Sequence, residues 1–233
     1  MITAASFRRI RRSVFARTLV PRGFAESSSL YVCHTPAGQT HCAEIAAAKY
    51  GGSFTVDLGF HFSAVPLFAD VPPVGRRTAA CCFRLRFRKS DGNQFFGYGT
   101  SATEAESIAL EIADRALTIF RDVDERWRDG SLLVRAVPPE LLARDAAVFH
   151  DVLHATSMAE QDIASDSMLI RQLLPAWCPH ILPTALSLAH VSLGQNNPHL
   201  AREYVEIANS ARHTSAADAH ILGILKQLQQ DTS

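Results

Sequence analysis

The chain has 233 residues, of which 47% are hydrophobic and 20% charged. That composition supports a sizeable buried core and excludes a disordered chain. No apolar stretch approaches the ~18 residues that a membrane-spanning helix needs, so no membrane partner is expected. Lys plus Arg and Asp plus Glu are 23 each, a balance that argues against a nucleic-acid binder, which usually carries a basic excess.

The net charge of zero hides a split. Residues 1–100 hold 13 Lys/Arg against 5 Asp/Glu, and residues 101–233 hold 10 against 18. Such a split lets an N-terminal sheet and C-terminal helices attract each other, or lets one face steer a charged partner. The five cysteines are odd in number and form no CxxC pair. This is reduced, intracellular usage, and a disulfide framework is not expected.

Residues 1–25 carry six arginines and no acid, as an organelle transit peptide does. Phe7, Ile10, Val14 and Leu19 recur near helical spacing, however, and predict an amphipathic first helix from Ala4 to Leu19. Pro21-Arg22-Gly23 ends it. Ser29–His34 and Gln39–Ile45 flank Thr35-Pro36-Ala37-Gly38, which is hairpin turn chemistry. After Gly51-Gly52, Ser53–Phe62 is the clearest strand. Phe54, Val56, Leu58, Phe60 and Phe62 share one face, while Thr55, Asp57, Gly59 and His61 share the other, expected to meet water. Ala80–Arg88 alternates likewise, with Cys81, Phe83, Leu85 and Phe87 opposed to Cys82, Arg84, Arg86 and Arg88. Asp91-Gly92 opens a turn before a short strand, Gln94–Tyr98.

From residue 100 the period becomes helical. Ser101 and Thr103, three residues before Glu104 and Glu106, read as overlapping capping boxes. The helix they begin carries Ile108, Ile112, Ala116 and Ile119 and ends near Trp127. A brief extended segment at Leu132–Val137 and a helix from Pro138 to about Thr156 follow, then a polar stretch from Ser157 to Asp166. Helices are expected at 167–175, 180–193, 198–212 and 215–230, with Asn196-Asn197 before Pro198 giving the order of cap and first turn.

The run Tyr50-Gly51-Gly52-Ser53-Phe54-Thr55-Val56-Asp57-Leu58-Gly59 resembles the signature strand of a bacterial family known as domain of unknown function 4304. Arg22-Gly23-Phe24 and Cys82-Phe83-Arg84-Leu85-Arg86-Phe87 fit the same resemblance, whereas Phe95-Phe96-Gly97-Tyr98 lacks the tryptophan usual at that point. The resemblance spans about residues 5–130 and implies an α+β fold in a bacterial cytoplasmic protein, with no activity attached. In the tail, Leu188-Ala189, Leu193-Gly194, Ala201, Tyr204 and Ala208 resemble one tetratricopeptide-type helix hairpin. No second copy follows at the ~34-residue period, so a solenoid is not expected.

Asp57, His61, Arg84, Arg86 and Arg88 form the candidate ligand- or partner-binding set, because forked guanidinium donors recognise anionic groups. The plainer reading is a solvated row whose repulsion is relieved by Asp57 and Glu44 across the strands. Cys33-His34 and His41-Cys42 bracket the hairpin, but adjacent strand residues face opposite ways and four tetrahedral ligands do not converge. A two-residue turn would set Cys33 opposite Cys42, and a three-residue loop would set it opposite His41. His150 and His154 stand at i and i+4 with Asp151 where a zincin has Glu, and no third ligand is apparent. Gly97-Tyr98-Gly99-Thr100 lacks the remaining residues of a phosphate loop. Cys178-Pro179-His180 has no orienting acid.

The expectation is an α+β chain: an antiparallel sheet of four or five strands packed on an N-terminal helix and a helix after the sheet. Residues 1–130 form that domain, and residues 131–233 form an all-helical extension that packs on it or makes a small second domain. No catalytic residue, cofactor or metal is assigned, and nothing in the sequence sets an oligomeric state. The leading function is a non-catalytic protein-interaction protein of toxin-neutralising or accessory type. Its rival is an enzyme or binding protein acting on a small anionic substrate at the arginine-bearing face.

Overall fold

Thr3 opens the first helix by accepting the Ser6 N–H at 3.1 Å, an N-cap for α1 (Ala4–Leu19). A computed structural model describes residues 2–48, 51–63, 65, 78, 81, 83–87, 93–128, 174–175, 181–211 and 219–231. A short 3-10 turn (Val20–Arg22) containing Pro21 ends α1, and Gly23 follows at φ 91°, a left-handed value that suits glycine. Phe7, Val14, Phe15 and Leu19 are buried, so the arginine-rich segment is a working helix of the domain. Its charges are largely used within the fold. Buried Arg11 donates from Nη1 to the Ile45 carbonyl at 2.8 Å, with burial holding its pKa below the usual arginine value. Arg12 reaches Glu26 and Arg17 reaches Glu106, each at 2.6 Å.

The sheet is antiparallel throughout. Its strands are β1 (Ala25–Ser27), β2 (Leu30–His34), β3 (Gln39–Ala47), β4 (Ser53–Phe62), β5 (Phe83–Arg86), β6 (Phe96–Gly97) and β7 (Leu174–Pro175). They run in the order β1-β2-β3-β4-β5-β7, and β6 also pairs with β4. Five strands exceed two residues, in keeping with the expected architecture. The sequence predicts a helix over 167–175, whereas its described residues, Leu174 and Pro175, pair with Arg84 and Phe83. A two-residue strand has no period to reveal it.

α2 (Ala102–Arg128) begins where the sequence placed its cap. Ser101 Oγ accepts the Glu104 N–H at 3.1 Å, and Glu104 accepts the Thr100 N–H at 2.7 Å. The second expected box does not form: Glu106 turns to Arg17. α1 and α2 lie on the phenylalanine face of the sheet. Phe7 meets Phe54 and Tyr98, Phe24 and Phe60 meet Phe120, and Phe62 stacks on Trp127 at 4.2 Å. All five apolar residues of β4 are buried.

Tyr31 sits in this layer beside Phe15, and burial pushes its hydroxyl up to about 12. The neutral phenol is therefore favoured by folding. Its contribution is complete below pH ~10, the unfolded value, and is lost as pH rises through about 12. Urea unfolding from pH 8 to 12 is expected to show roughly 2 kcal/mol of stability disappearing in that window. Tyr31→Phe should flatten the loss.

The opposite face of the sheet departs from expectation. Thr55, Asp57 and Gly59 were to meet water, yet all three are buried, and His61 is half-buried. Part of the cover is the contact between Thr78 and Cys81, in which the Cys81 N–H donates to the Thr78 carbonyl at 3.1 Å. It lies directly over Gly59, where a Cβ would stand 2.7 Å from Cys81 Sγ and 3.0 Å from Thr78 Cα. Glycine is what allows this approach. Glu44 holds Thr78 by accepting its N–H at 3.1 Å and O–H at 2.8 Å. Leu30, Cys42 and Cys81, with Val32 against them, make a small second apolar cluster.

In the tail, α3 (Ile181–Gly194) and α4 (Pro198–Ala211) form a hairpin, followed by α5 (Ala219–Asp231). Asn196 takes φ 59° at the turn, and Asn197 caps α4 by accepting the Leu200 N–H at 3.2 Å. Buried residues of α3 and α4 belong to the same apolar cluster as the sheet core. Among the described residues no helix is long and apolar enough to cross a membrane. The Leu132–Val137 segment, the Pro138–Thr156 helix with its two histidines, the Ser157–Asp166 stretch and Cys178-Pro179-His180 lie outside the described residues.

Candidate functional site

Thr35 N–H donates to the Gln39 carbonyl at 2.8 Å, which leaves Pro36-Ala37-Gly38 as a three-residue loop with Gly38 at φ 78°. Loop length sets register. Here it pairs His34 with Thr40 and Cys33 with His41. Cys33 and His41 therefore face α2, whereas His34 and Cys42 face the other side. The two Cys-His pairs are split across the sheet. Among the described residues no group of three or more His, Cys, Asp or Glu side chains is placed to hold a metal ion.

His41 is 3% exposed. Its ring stacks on Phe120 at 4.8 Å between centroids and meets the edge of Phe60 at 5.7 Å. Its Nε2 lies 3.1 Å from Asp124 Oδ1, without hydrogen-bond alignment. The pair ties the hairpin to α2 and forms the floor of an open cleft of about 710 Å³. Phe24, Leu117 and Phe120 supply apolar lining, and residues 33–36 form one wall. Both signs of charge stand at the rim: Arg22, Arg121 and Arg128 with Asp114 and Glu125, all exposed. Arg121 and Arg128 are two helical turns apart, about 10 Å along α2. Half-buried Cys33 borders the cleft, and burial, reinforced by Asp124, holds its thiol above the ordinary cysteine value. A raised thiol is protonated near neutrality and is a poor nucleophile.

The arginine-bearing set lies elsewhere, on the covered face. Asp57 stands opposite Arg86 in register and accepts Nε at 2.7 Å and Nη2 at 2.9 Å. Nη1 donates to Gln94 Oε1 at 3.2 Å, so all three guanidinium nitrogens are engaged. The bonds to Asp57 raise the Arg86 pKa further. His61 opposes Thr40, its Nδ1 is enclosed with no hydrogen-bond partner among the described residues, and burial lowers its pKa. Arg84 takes its place in β5 opposite Gly59. Its side chain, and all of Arg88, lie outside the described residues. The structure thus joins Asp57 to Arg86, with His61 two rungs along β4.

The cleft residues were the ones sequence reasoning passed over. Cys33 opposite His41 was one of two hairpin registers, but Asp124 and Arg121 carried no motif. A stripe of polar residues at 114, 118, 121, 125 and 128 on the far side of an amphipathic helix was the available signal. Comparison of the chain with family models, curated proteins and solved structures returns no match.

Proposed function

We propose that this chain is a non-catalytic protein-interaction protein that receives a polar segment of a partner in the cleft between the β2–β3 hairpin and α2. The carrying observation is the rim: exposed Arg22, Arg121 and Arg128 stand with exposed Asp114 and Glu125 around the apolar lining of Phe24, Leu117 and Phe120. Mixed charge around an apolar centre suits a protein surface better than a single small anion. The protonated Cys33 thiol and the His41 ring packed on Phe120 support a binding role for the same cleft. The rival reading, a small anionic substrate at the arginine-bearing face, has Arg86 already bonded to Asp57 and Gln94. The resemblance of the Tyr50–Gly59 run and the reduced cysteine usage support a bacterial cytoplasmic protein of toxin-neutralising or accessory type.

Arg121→Glu and Arg128→Glu alter exposed positions and should leave the fold unchanged. Affinity capture from bacterial extract, followed by reconstitution with the purified partner, is expected to show binding that either variant weakens tenfold or more. If the protein retains no partner and instead turns over a phosphorylated or carboxylated compound, the interaction reading fails.

A further inference from the structure

We propose that Cys42 and Cys81 are a thiol–disulfide site that ties Cys81 to β3. Their sulfurs lie 3.6 Å apart, both residues have no exposure, and both are held as thiols. Three features bring them together. Cys42 is paired with Gly59, and the absent Cβ of Gly59 opens the space that Cys81 fills. Glu44 anchors Thr78. Leu30 and Val32 enclose the sulfurs in an apolar shell. Cys33 faces the other side of the sheet and cannot reach this position.

Disulfide bonding needs the sulfurs to approach to about 2.05 Å, a closure of roughly 1.5 Å. The oxidant is a low-molecular-weight disulfide such as oxidised glutathione. One cysteine, as thiolate, attacks it, forms a mixed disulfide and releases one glutathione thiol. The second cysteine, as thiolate, displaces the remaining glutathione and closes the Cys42–Cys81 bond. Two protein thiols are oxidised, one glutathione disulfide is reduced, and the two protons end on the two glutathione thiols. Because neither sulfur is exposed, the first exchange requires Cys81 to draw away from Gly59. The bond then holds it down, and it also restricts the unfolded chain by closing a long loop. The proposal is independent of the cleft.

The test is to equilibrate the purified full chain in oxidised or in reduced glutathione, then map its peptides without reduction. The expected result is one dominant linked peptide joining Cys42 to Cys81. A melting midpoint about 5–10 °C above the reduced protein should accompany it. Cys42→Ala, with its fold checked by circular dichroism, should abolish the shift. Linkage of Cys81 to Cys82, mixed disulfides that never close, or thiols unchanged under oxidising conditions would each overturn the proposal, and the wild-type map decides this without any variant.

Discussion

Phe60→Ala is expected to lower the unfolding free energy by about 3–5 kcal/mol, the range for removing a buried aromatic ring. Phe60 is fully buried where the sheet meets α2. Its ring lies 5.4 Å from Phe120 and 5.7 Å from His41. Alanine there opens a cavity bounded by β-strand on one side and helix on the other, neither of which collapses easily. It also removes one of the two rings that hold His41 in place. In urea the midpoint should fall with little change in slope. Phe60→Leu keeps most of the volume and should cost under about 1.5 kcal/mol. Equal losses in the two variants would mean that packing at this position is not what holds α2 to the sheet.

Asp57→Ala is expected to cost about 2–3 kcal/mol. The carboxylate is 4% exposed and the Arg86 guanidinium 36%. Removing the acid deletes two charge-assisted hydrogen bonds and strands a cation that is only partly reachable by water. A fully buried pair would cost more, about 3–5 kcal/mol. The exposed third of Arg86 brings the figure down, because water replaces part of what the acid supplied. Arg86→Leu should cost a similar amount, since it removes both charge-assisted bonds to the buried carboxylate. A ligand-binding arginine behaves differently, with substitution abolishing binding and leaving stability unchanged.

The strands and helices were readable where a side-chain period repeats. Phe54 to Phe62 alternate five times, and all five rings and branched chains turn to the core. Ser101 before Glu104 and Asn197 before Pro198 marked helix starts because a capping side chain has a fixed offset from the N–H it satisfies. The second face of the sheet was not readable. Alternation tells which face is more apolar, and it cannot say whether the other is covered. Over Gly59 the cover comes from Thr78 and Cys81, which belong to no periodic element and are admitted by one glycine. Asp57 was readable as an acid relieving the arginines across the strand, and it does so; that its partner is Arg86 depends on the β4–β5 register, which the intervening segment conceals. The cleft was harder still. Its floor exists only because α2 crosses the sheet so that Asp124 meets His41, a packing fact with no local signature.

The charge split along the chain has a partial physical account. Arg17 reaches across to Glu106 from the basic half to the acidic half. Arg12 and Arg86 are matched within their own half by Glu26 and Asp57. Exposed charges of both signs also stand at the cleft rim, where Arg22 joins α2 residues from the acidic half.

On the covered face of the sheet, the Arg86 guanidinium serves the fold through Asp57. A double-mutant cycle measures it directly. Wild type, Asp57→Ala, Arg86→Ala and the double variant are unfolded in urea, and the coupling energy is taken from the four values. The account predicts a coupling of about 1–3 kcal/mol, with the double variant more stable than the two single losses would add to. A coupling within about 0.3–0.5 kcal/mol of zero would show that the two side chains act independently, and would contradict the account.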